Sequence, residues 1–367
     1  MIYLDNAATS FPKPKRVIRA VNECIAKYCG NPGRSSHRLA LAAADKIFET
    51  REILSDFVGS EKCENIIFTP NATYALNLVI KGLIKKKCHC IVSDMEHNSV
   101  LRPLYKLMDK YGVEISFFNS DLPLSEAITP LIRNDTEVLV STLCSNVTGK
   151  SVDLDGLSRI AKDNSIKLIL DASQYVGHIR TDLTNVCYTA FCSAGHKSLF
   201  GIQGSGFAII NDHKLFDTLT EGGSGFDTFS KYMPELLPER YEAGTPSTPA
   251  IVSLGEGIRY INSVGIENIE KHILSLTDLL QYELLAIPGI KLYGANNGIA
   301  AFNIRDIPSS RLSEILDKRD VATRSGFHCA PTIHTKLGTT EGAVRVSISY
   351  LNTANDIYAL SSILKRI

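Results

Sequence analysis

Between about residue 14 and residue 250 the chain alternates two hydrophobic patterns. Residues 39–58, 72–84 and 100–111 carry apolar side chains at helical spacing. Between such stretches lie short, almost wholly apolar runs at 66–68, 90–92, 115–118, 138–141 and 167–170, with a further run at 187–192. A continuous apolar run suits a strand buried on both faces, and parallel strands need crossovers of helix length between them. The alternation therefore predicts an α/β fold with a largely parallel sheet covered by helices. Beyond residue 251 the pattern changes to a long helical stretch reaching residue 286, the turn Ile287-Pro288-Gly289, and apolar segments at 298–304 and 344–348. At 367 residues the chain exceeds the roughly 250–300 that one core supports, so a large unit over 15–250 and a second unit from 251 to 367 are expected.

Residues with chemical potential cluster at the ends of the apolar runs. Lys197 follows the run 187–192 in Ser193-Ala194-Gly195-His196-Lys197, and the glycine-rich segment 201–206 comes next. An amine delivered at the end of a buried strand suits a Schiff base with an aldehyde cofactor, although a His-Lys pair alone reads as solvated surface. Asp171 closes the run 166–170, where open α/β sheets bind ligands. Its carboxylate would keep a pyridine nitrogen protonated; by itself it would serve as a helix N-cap. Gln174, one helical turn on, could donate to the phenolate oxygen of the same ring. Asn71-Ala72-Thr73 open the helical stretch that follows residues 65–68. Ala72 and Thr73 thus stand where free N–H groups and a hydroxyl could take a phosphate, or simply cap the helix. His97 follows the run 90–92 and could stack on a flat ring or be a structural histidine.

In chain order, Tyr3-Leu4-Asp5-Asn6-Ala7-Ala8-Thr9, Met95-Glu96-His97, Ser145-Asn146, Asp171-Ala172-Ser173-Gln174, Gly195-His196-Lys197, Tyr241 to Pro246 and Arg324 to Ala330 resemble the landmarks of one family. It is the cysteine desulfurase and selenocysteine lyase family, pyridoxal-phosphate enzymes of the class V aminotransferase type. The resemblance runs from Tyr3 to Asn352 and implies an aspartate-aminotransferase-like fold, with residues 1–14 joining 251–367 in the smaller domain. It implies that Lys197 forms the Schiff base, Asp171 meets the pyridine nitrogen, Gln174 the phenolate oxygen, and that His97 stacks on the ring. Thr73 and His196 would bind the phosphate, and Thr245 would complete the phosphate site of the other subunit in a homodimer. Arg345 would grip the substrate carboxylate, a bidentate task suited to guanidinium, with Asn146 assisting.

Cys329 would attack the sulfur of L-cysteine, giving alanine and an enzyme persulfide for a protein sulfur acceptor. A free thiol near pKa 8.5 is only a few per cent ionised at neutral pH, so a neighbouring cation would help; His328 and Arg324 are close in sequence. Selenocysteine lyase, or an aminotransferase or β-lyase that leaves the cysteine idle, are the competing readings. Two positions depart from the family pattern. Ala194 stands where relatives carry a phosphate-binding Ser or Thr, leaving Ser193 to compensate through a displaced backbone. Phe327 replaces a histidine common in relatives and is expected to alter access to the cysteine or substrate preference.

Composition narrows the classes. Lys+Arg and Asp+Glu are equal at 39 each, which argues against a nucleic-acid protein. No apolar stretch reaches the roughly 20 residues of a membrane span. Nine scattered cysteines and an opening that is no secretory leader set the expectation of a reducing cytoplasm. Cys88-His89-Cys90 lacks a second ligand pair at a convincing spacing, so no metal is expected there. No G-x-G-x-x-G follows the first strand and no Walker lysine is present, which removes the nucleotide-binding alternatives. A catalytically dead relative would have lost Lys197, Asp171 or Arg345, and all three remain.

Overall fold

A computed structural model describes residues 1–33 and 36–367. The chain opens with a two-residue strand, β1 (Ile2–Tyr3), that lies apart from the main sheet. The main sheet has seven strands: β2 (Ile66–Thr69), β3 (His89–Ser93), β4 (Glu114–Phe118), β5 (Thr136–Thr142), β6 (Lys167–Asp171), β7 (Ala190–Ala194) and β8 (Gly206–Ile210). Their order is β2-β8-β7-β6-β5-β3-β4. The central pairs are parallel, as the apolar runs require, while β8 runs antiparallel to both of its neighbours.

Each strand feeds two cores with period two. In β6, Leu168 and Leu170 enter one layer and Ile169 the other; in β5, Leu139 lies opposite Val138 and Val140. Helices Ala72–Leu83 and Asn98–Tyr111 close one layer through Leu76, Val79, Leu101 and Leu104. Helix Arg38–Val58, through Ile47 and Leu54, helps to close the other.

The helical stretch expected over 251–286 is two helices, Thr248–Val264 and Ile266–Leu285, divided at Gly265. Gly265 has φ 89°, a conformation that favours glycine and ends the first helix. The first of these helices packs Ile251, Leu254 and Ile258 into the core of the main sheet. The second spans both units, placing Ile269 and Ile273 in that core and Leu276, Leu280 and Leu284 in another.

That other core belongs to β9 (Ile290–Asn296), β10 (Ile299–Ile304), β11 (Val321–Ala322), β12 (Arg324–Gly326) and β13 (Ala343–Ser347). Four of them form an antiparallel sheet in the order β12-β13-β10-β9, and β11 pairs in parallel with β1. Leu4 lies in this core and Asp5 bridges to Ser347, so the first residues of the chain are held by its C-terminal part. The N-terminal segment then crosses to the main sheet, where four donors converge on the His196 carbonyl: the Ser10 N–H and hydroxyl, Thr9 Oγ1 and Lys13 Nζ.

Candidate active site

The carboxyl ends of β2, β3, β5, β6 and β7 open on a cavity of about 200 Å³. The strands deliver Thr73, His97, Asn146, Asp171 and Lys197 to it from five separate connections, the geometry expected of an open α/β sheet. Arg324 from β12 and Arg345 from β13 close the far side, and Ala7 and Ala8 of the N-terminal segment complete it. Residues more than 300 positions apart in sequence meet here because β1 pairs with β11 and Asp5 bridges to Ser347 of β13, tying the two ends of the chain together.

Lys197 lines the cavity half-buried, and desolvation lowers its ammonium to about 8; the Asp171 carboxylate opposes that shift, while Arg345 and Arg324 reinforce it. A usable fraction of neutral amine therefore exists near neutral pH, as a carbonyl-reactive lysine needs. His97 is lowered to about 4, by burial first and then by the Lys197 charge, so its ring is neutral. It N-caps helix Asn98–Tyr111: Nδ1 accepts the Ser99 N–H at 3.0 Å, which leaves the ring proton on Nε2. Behind it, Glu96 is completely buried, accepts a bond from the Thr142 N–H, and is pushed well above the usual carboxylate range by burial and by Asp171.

One end of the cavity is a cradle for an anion. Asn71 caps helix Ala72–Leu83 by accepting the Tyr74 N–H at 2.9 Å, leaving the first N–H groups of a twelve-residue helix facing the cavity. Thr73 Oγ1 and Ser99 Oγ lie 2.8 Å apart in the same wall. Gly206 lets β8 pass against this cap, since a Cβ there would sit 2.5 Å from the Asn71 carbonyl carbon. Ala194 lines the cavity without a polar group, and Ser193 does not compensate. Strand alternation turns its hydroxyl to the Ala172 carbonyl at 3.3 Å, outside the cavity. Ser99, which the sequence reading missed, supplies a hydroxyl instead.

At the other end, Arg345 is 1% exposed. Its Nη2 donates to Asp5 Oδ1 at 2.7 Å and Nη1 to the Asn146 carbonyl at 3.0 Å. Nε has no partner among the described residues. Two more cavity-lining groups are buried without a partner there, Ser173 Oγ and His196 Nδ1. Unsatisfied buried polar atoms are rare in native folds and mark places completed by a ligand. The chemistry of the set fits pyridoxal phosphate and an amino acid: a lysine amine, a buried carboxylate, an anion cradle and a guanidinium edge.

Cys329 is exposed and lies outside the cavity lining, on a loop between β12 and helix Pro331–Leu337. His328 and Cys329 have φ values of 50° and 56°, costing on the order of 1–2 kcal/mol each, which surrounding bonds must offset. Asn146 Nδ2 donates to the His328 carbonyl at 2.8 Å and the Asn98 N–H to the Cys329 carbonyl at 2.7 Å. Arg324 Nη2 lies 3.6 Å from Cys329 Sγ. Of the two cations expected beside the thiol, only Arg324 serves: burial, with Arg345 nearby, lowers His328 to about 3 and leaves it neutral.

The aminotransferase class-V family profile matches residues 2–360. A probable cysteine desulfurase of Methanothermobacter thermautotrophicus is 33% identical, covering 100% of this chain and 94% of that one. Another from Pyrococcus abyssi is 32% identical, with the same coverage of both chains. The solved apo cysteine desulfurase of Thermococcus onnurineus NA1 superimposes with a TM-score of 0.93 at 31% identity, covering 100% of this chain and 94% of that one. The chain belongs to the class-V aminotransferase family, in its cysteine desulfurase branch.

Within this desulfurase framework, the cavity gathers Lys197, Asp171, Gln174, His97, Ala72, Thr73, His196, Asn146, Arg324 and Arg345. Gln174 directs its amide to the Ala7 carbonyl at 2.8 Å, so one N–H ties the N-terminal segment to the site and the other remains for a ligand. Asn146 supports Arg345 through its carbonyl and the cysteine loop through its amide. Thr245 lines a separate surface cavity with Phe68, Tyr74 and Tyr241, away from Lys197 in the same chain. Spacing in the sequence does not reveal the pairing of Asp5 with Arg345, which exists because Asp5 bridges to Ser347 beside Arg345 on β13. In Cys88-His89-Cys90, the Cys88 and Cys90 thiols are buried 4.0 Å apart while His89 bonds Thr136 and Ser116.

Proposed function

We propose that this protein is a pyridoxal-phosphate-dependent cysteine desulfurase that converts L-cysteine to L-alanine, leaving the removed sulfur as a persulfide on Cys329. The observation that carries the reading is the position of Arg324, which lines the cavity with Lys197 and Arg345 and also approaches Cys329 Sγ at 3.6 Å. An aminotransferase or a β-lyase that leaves the cysteine idle has no use for that arrangement.

Lys197 would hold the cofactor's aldehyde, Asp171 its ring nitrogen, and Gln174 its phenolate oxygen, with His97 against the ring. Ala72, Thr73, Ser99 and His196 would hold its phosphate, with Thr245 contributed by the second subunit of a homodimer. When bound, the cofactor supplies an electron sink for bond breaking at the substrate's α and β carbons. The chain's own groups do the rest. Arg345 presents its free Nε edge to the substrate carboxylate, where bidentate binding fixes orientation. Lys197 is the group able to accept or return a proton near the substrate carbons, and the Nε2–H of neutral His97 can donate a hydrogen bond beside it. Cys329, with the Arg324 guanidinium 3.6 Å from its sulfur, attacks the substrate sulfur; the new S–S bond forms as the C–S bond breaks, and the carbon takes a proton to become alanine.

Residues 15–250 would form the cofactor-binding domain and residues 1–14 with 251–367 the smaller one; the pairing of β1 with β11 supports the N-terminal part of that division, while helix Thr248–Val264 packs on the main sheet. No described helix is long and apolar enough to cross a membrane. The enzyme would act in the cytoplasm and hand its sulfur to an acceptor protein. The test is product analysis with L-cysteine and with L-selenocysteine, measuring alanine and sulfide or selenide with a thiol reductant. Alanine from L-cysteine in the wild type, and its loss in Cys329→Ser, is the expected result. Wild-type activity confined to L-selenocysteine would replace this reading with a selenocysteine lyase.

A further inference from the structure

Behind Cys329 lies a line of buried polar groups that the proposed chemistry does not use. His328 and His334 are each 2% exposed, and Thr339 is 3% exposed. His328 Nε2 lies 3.3 Å from the Arg324 carbonyl, His328 Nδ1 lies 3.1 Å from His334 Nε2, and His334 Nδ1 lies 2.7 Å from Thr339 Oγ1. The two rings are inclined by only 22°, which suits an in-plane N–H to N bond.

The protons in this line are determined from one end. A carbonyl only accepts, so His328 Nε2 carries a hydrogen. Both rings are neutral, His328 lowered to about 3 and His334 also lowered, in each case through burial first. His328 Nδ1 is therefore bare and accepts from His334 Nε2–H. His334 Nδ1 is then bare in turn and accepts from the Thr339 hydroxyl, whose hydrogen prefers it at 2.7 Å over the His334 carbonyl at 3.2 Å. Every group has one role and none conflicts.

The line ends on the peptide of Arg324, whose guanidinium faces the Cys329 sulfur, and passes through His328, whose carbonyl is strapped by Asn146. We infer that His334 and Thr339 are positioning residues: acting through His328, they hold the Arg324–Cys329 loop so that guanidinium and sulfur stay in register at the cavity mouth. Neither touches substrate or cofactor. The inference rests on Cys329 being the nucleophile, and it adds a reason why a loop with two successive left-handed residues keeps one shape.

Two substitutions at Thr339 separate positioning from packing. Thr339→Val keeps the shape and removes the hydroxyl, whereas Thr339→Ser keeps the hydroxyl and removes a methyl group. We expect Thr339→Val to lower kcat about tenfold, the equivalent of roughly 1.4 kcal/mol, with KM changed by less than about twofold, and Thr339→Ser to restore most of that loss. Independently of activity, spectra of histidine labelled with nitrogen-15 should show His328 and His334 neutral and protonated on Nε2 through neutral pH in the wild type. Thr339→Val should weaken that preference at His334. A Thr339→Ser variant more impaired than Thr339→Val, an unchanged kcat in both, or an Nδ1-protonated ring would overturn the inference. A wild type that yields no alanine from L-cysteine would instead sink the functional reading, and the tautomer pattern would still be judged on its own.

Discussion

Lys197 lets the electrostatics of the site be tested without any turnover. The amine is lowered from an ordinary 10.5 to about 8, through desolvation first, and the shift is moderated by Asp171. For a base, a lowered pKa means that the protonated form is disfavoured, so the reactive neutral amine appears at lower pH than usual. With a value of about 8, the neutral fraction is about 9% at pH 7 and about 91% at pH 9, a tenfold rise that then levels off. An unperturbed lysine would go from about 0.03% to about 3%, a hundredfold rise with no levelling. Competitive acetylation of the cofactor-free protein, followed by mass spectrometry of the Lys197 peptide, reads this difference directly. Asp171→Asn removes the charge that holds the ammonium up, so its curve should level at lower pH still. A rate that climbs about a hundredfold between pH 7 and 9 would refute the burial argument for Lys197.

Two substitutions test the remaining framework. Arg345→Lys keeps the charge but loses the planar edge and one of the bonds to Asp5 and Asn146, so KM for L-cysteine should rise at least tenfold with the fold retained; an unchanged KM would remove Arg345 from the carboxylate site. Gly257→Ala should destabilise the protein by about 1–3 kcal/mol in chemical denaturation, because a Cβ at Gly257 overlaps the carbonyl of Leu199, two residues after the site lysine; an unshifted midpoint would contradict the close approach of helix Thr248–Val264.

The parts of this fold legible in the sequence were those with a local cause. Parallel strands such as β5 and β6 are buried on both faces and therefore read as unbroken apolar runs, and the catalytic candidates stood at their ends. The antiparallel course of β8 left no such mark, since a buried strand has the same composition in either direction. The helix break at Gly265 was equally silent, because both helices continue one apolar pattern and only the backbone angle separates them. Ser193 misled because sequence proximity to Lys197 says nothing about which side of β7 a hydroxyl leaves. Ser99 was missed because its role depends on two helix starts, at Ala72 and Asn98, meeting in one wall. The pairing of Asp5 with Arg345 arises only from the Asp5–Ser347 bridge, and the line from Thr339 to Arg324 only from helix Pro331–Leu337 folding back on the loop after β12; composition and spacing carry no signal for either.

The central claim is that sulfur passes from L-cysteine to Cys329, and the most direct measurement follows the sulfur itself. The holoenzyme is incubated with L-cysteine carrying a heavy sulfur isotope, without reductant, and its peptides are mapped after the free thiols are capped. The account predicts one heavy sulfur atom per chain, on Cys329 and on neither of the other exposed cysteines, Cys29 and Cys187, with an equal amount of alanine released. Alanine formed without label on Cys329, or label on other cysteines with Cys329 unmodified, would contradict it.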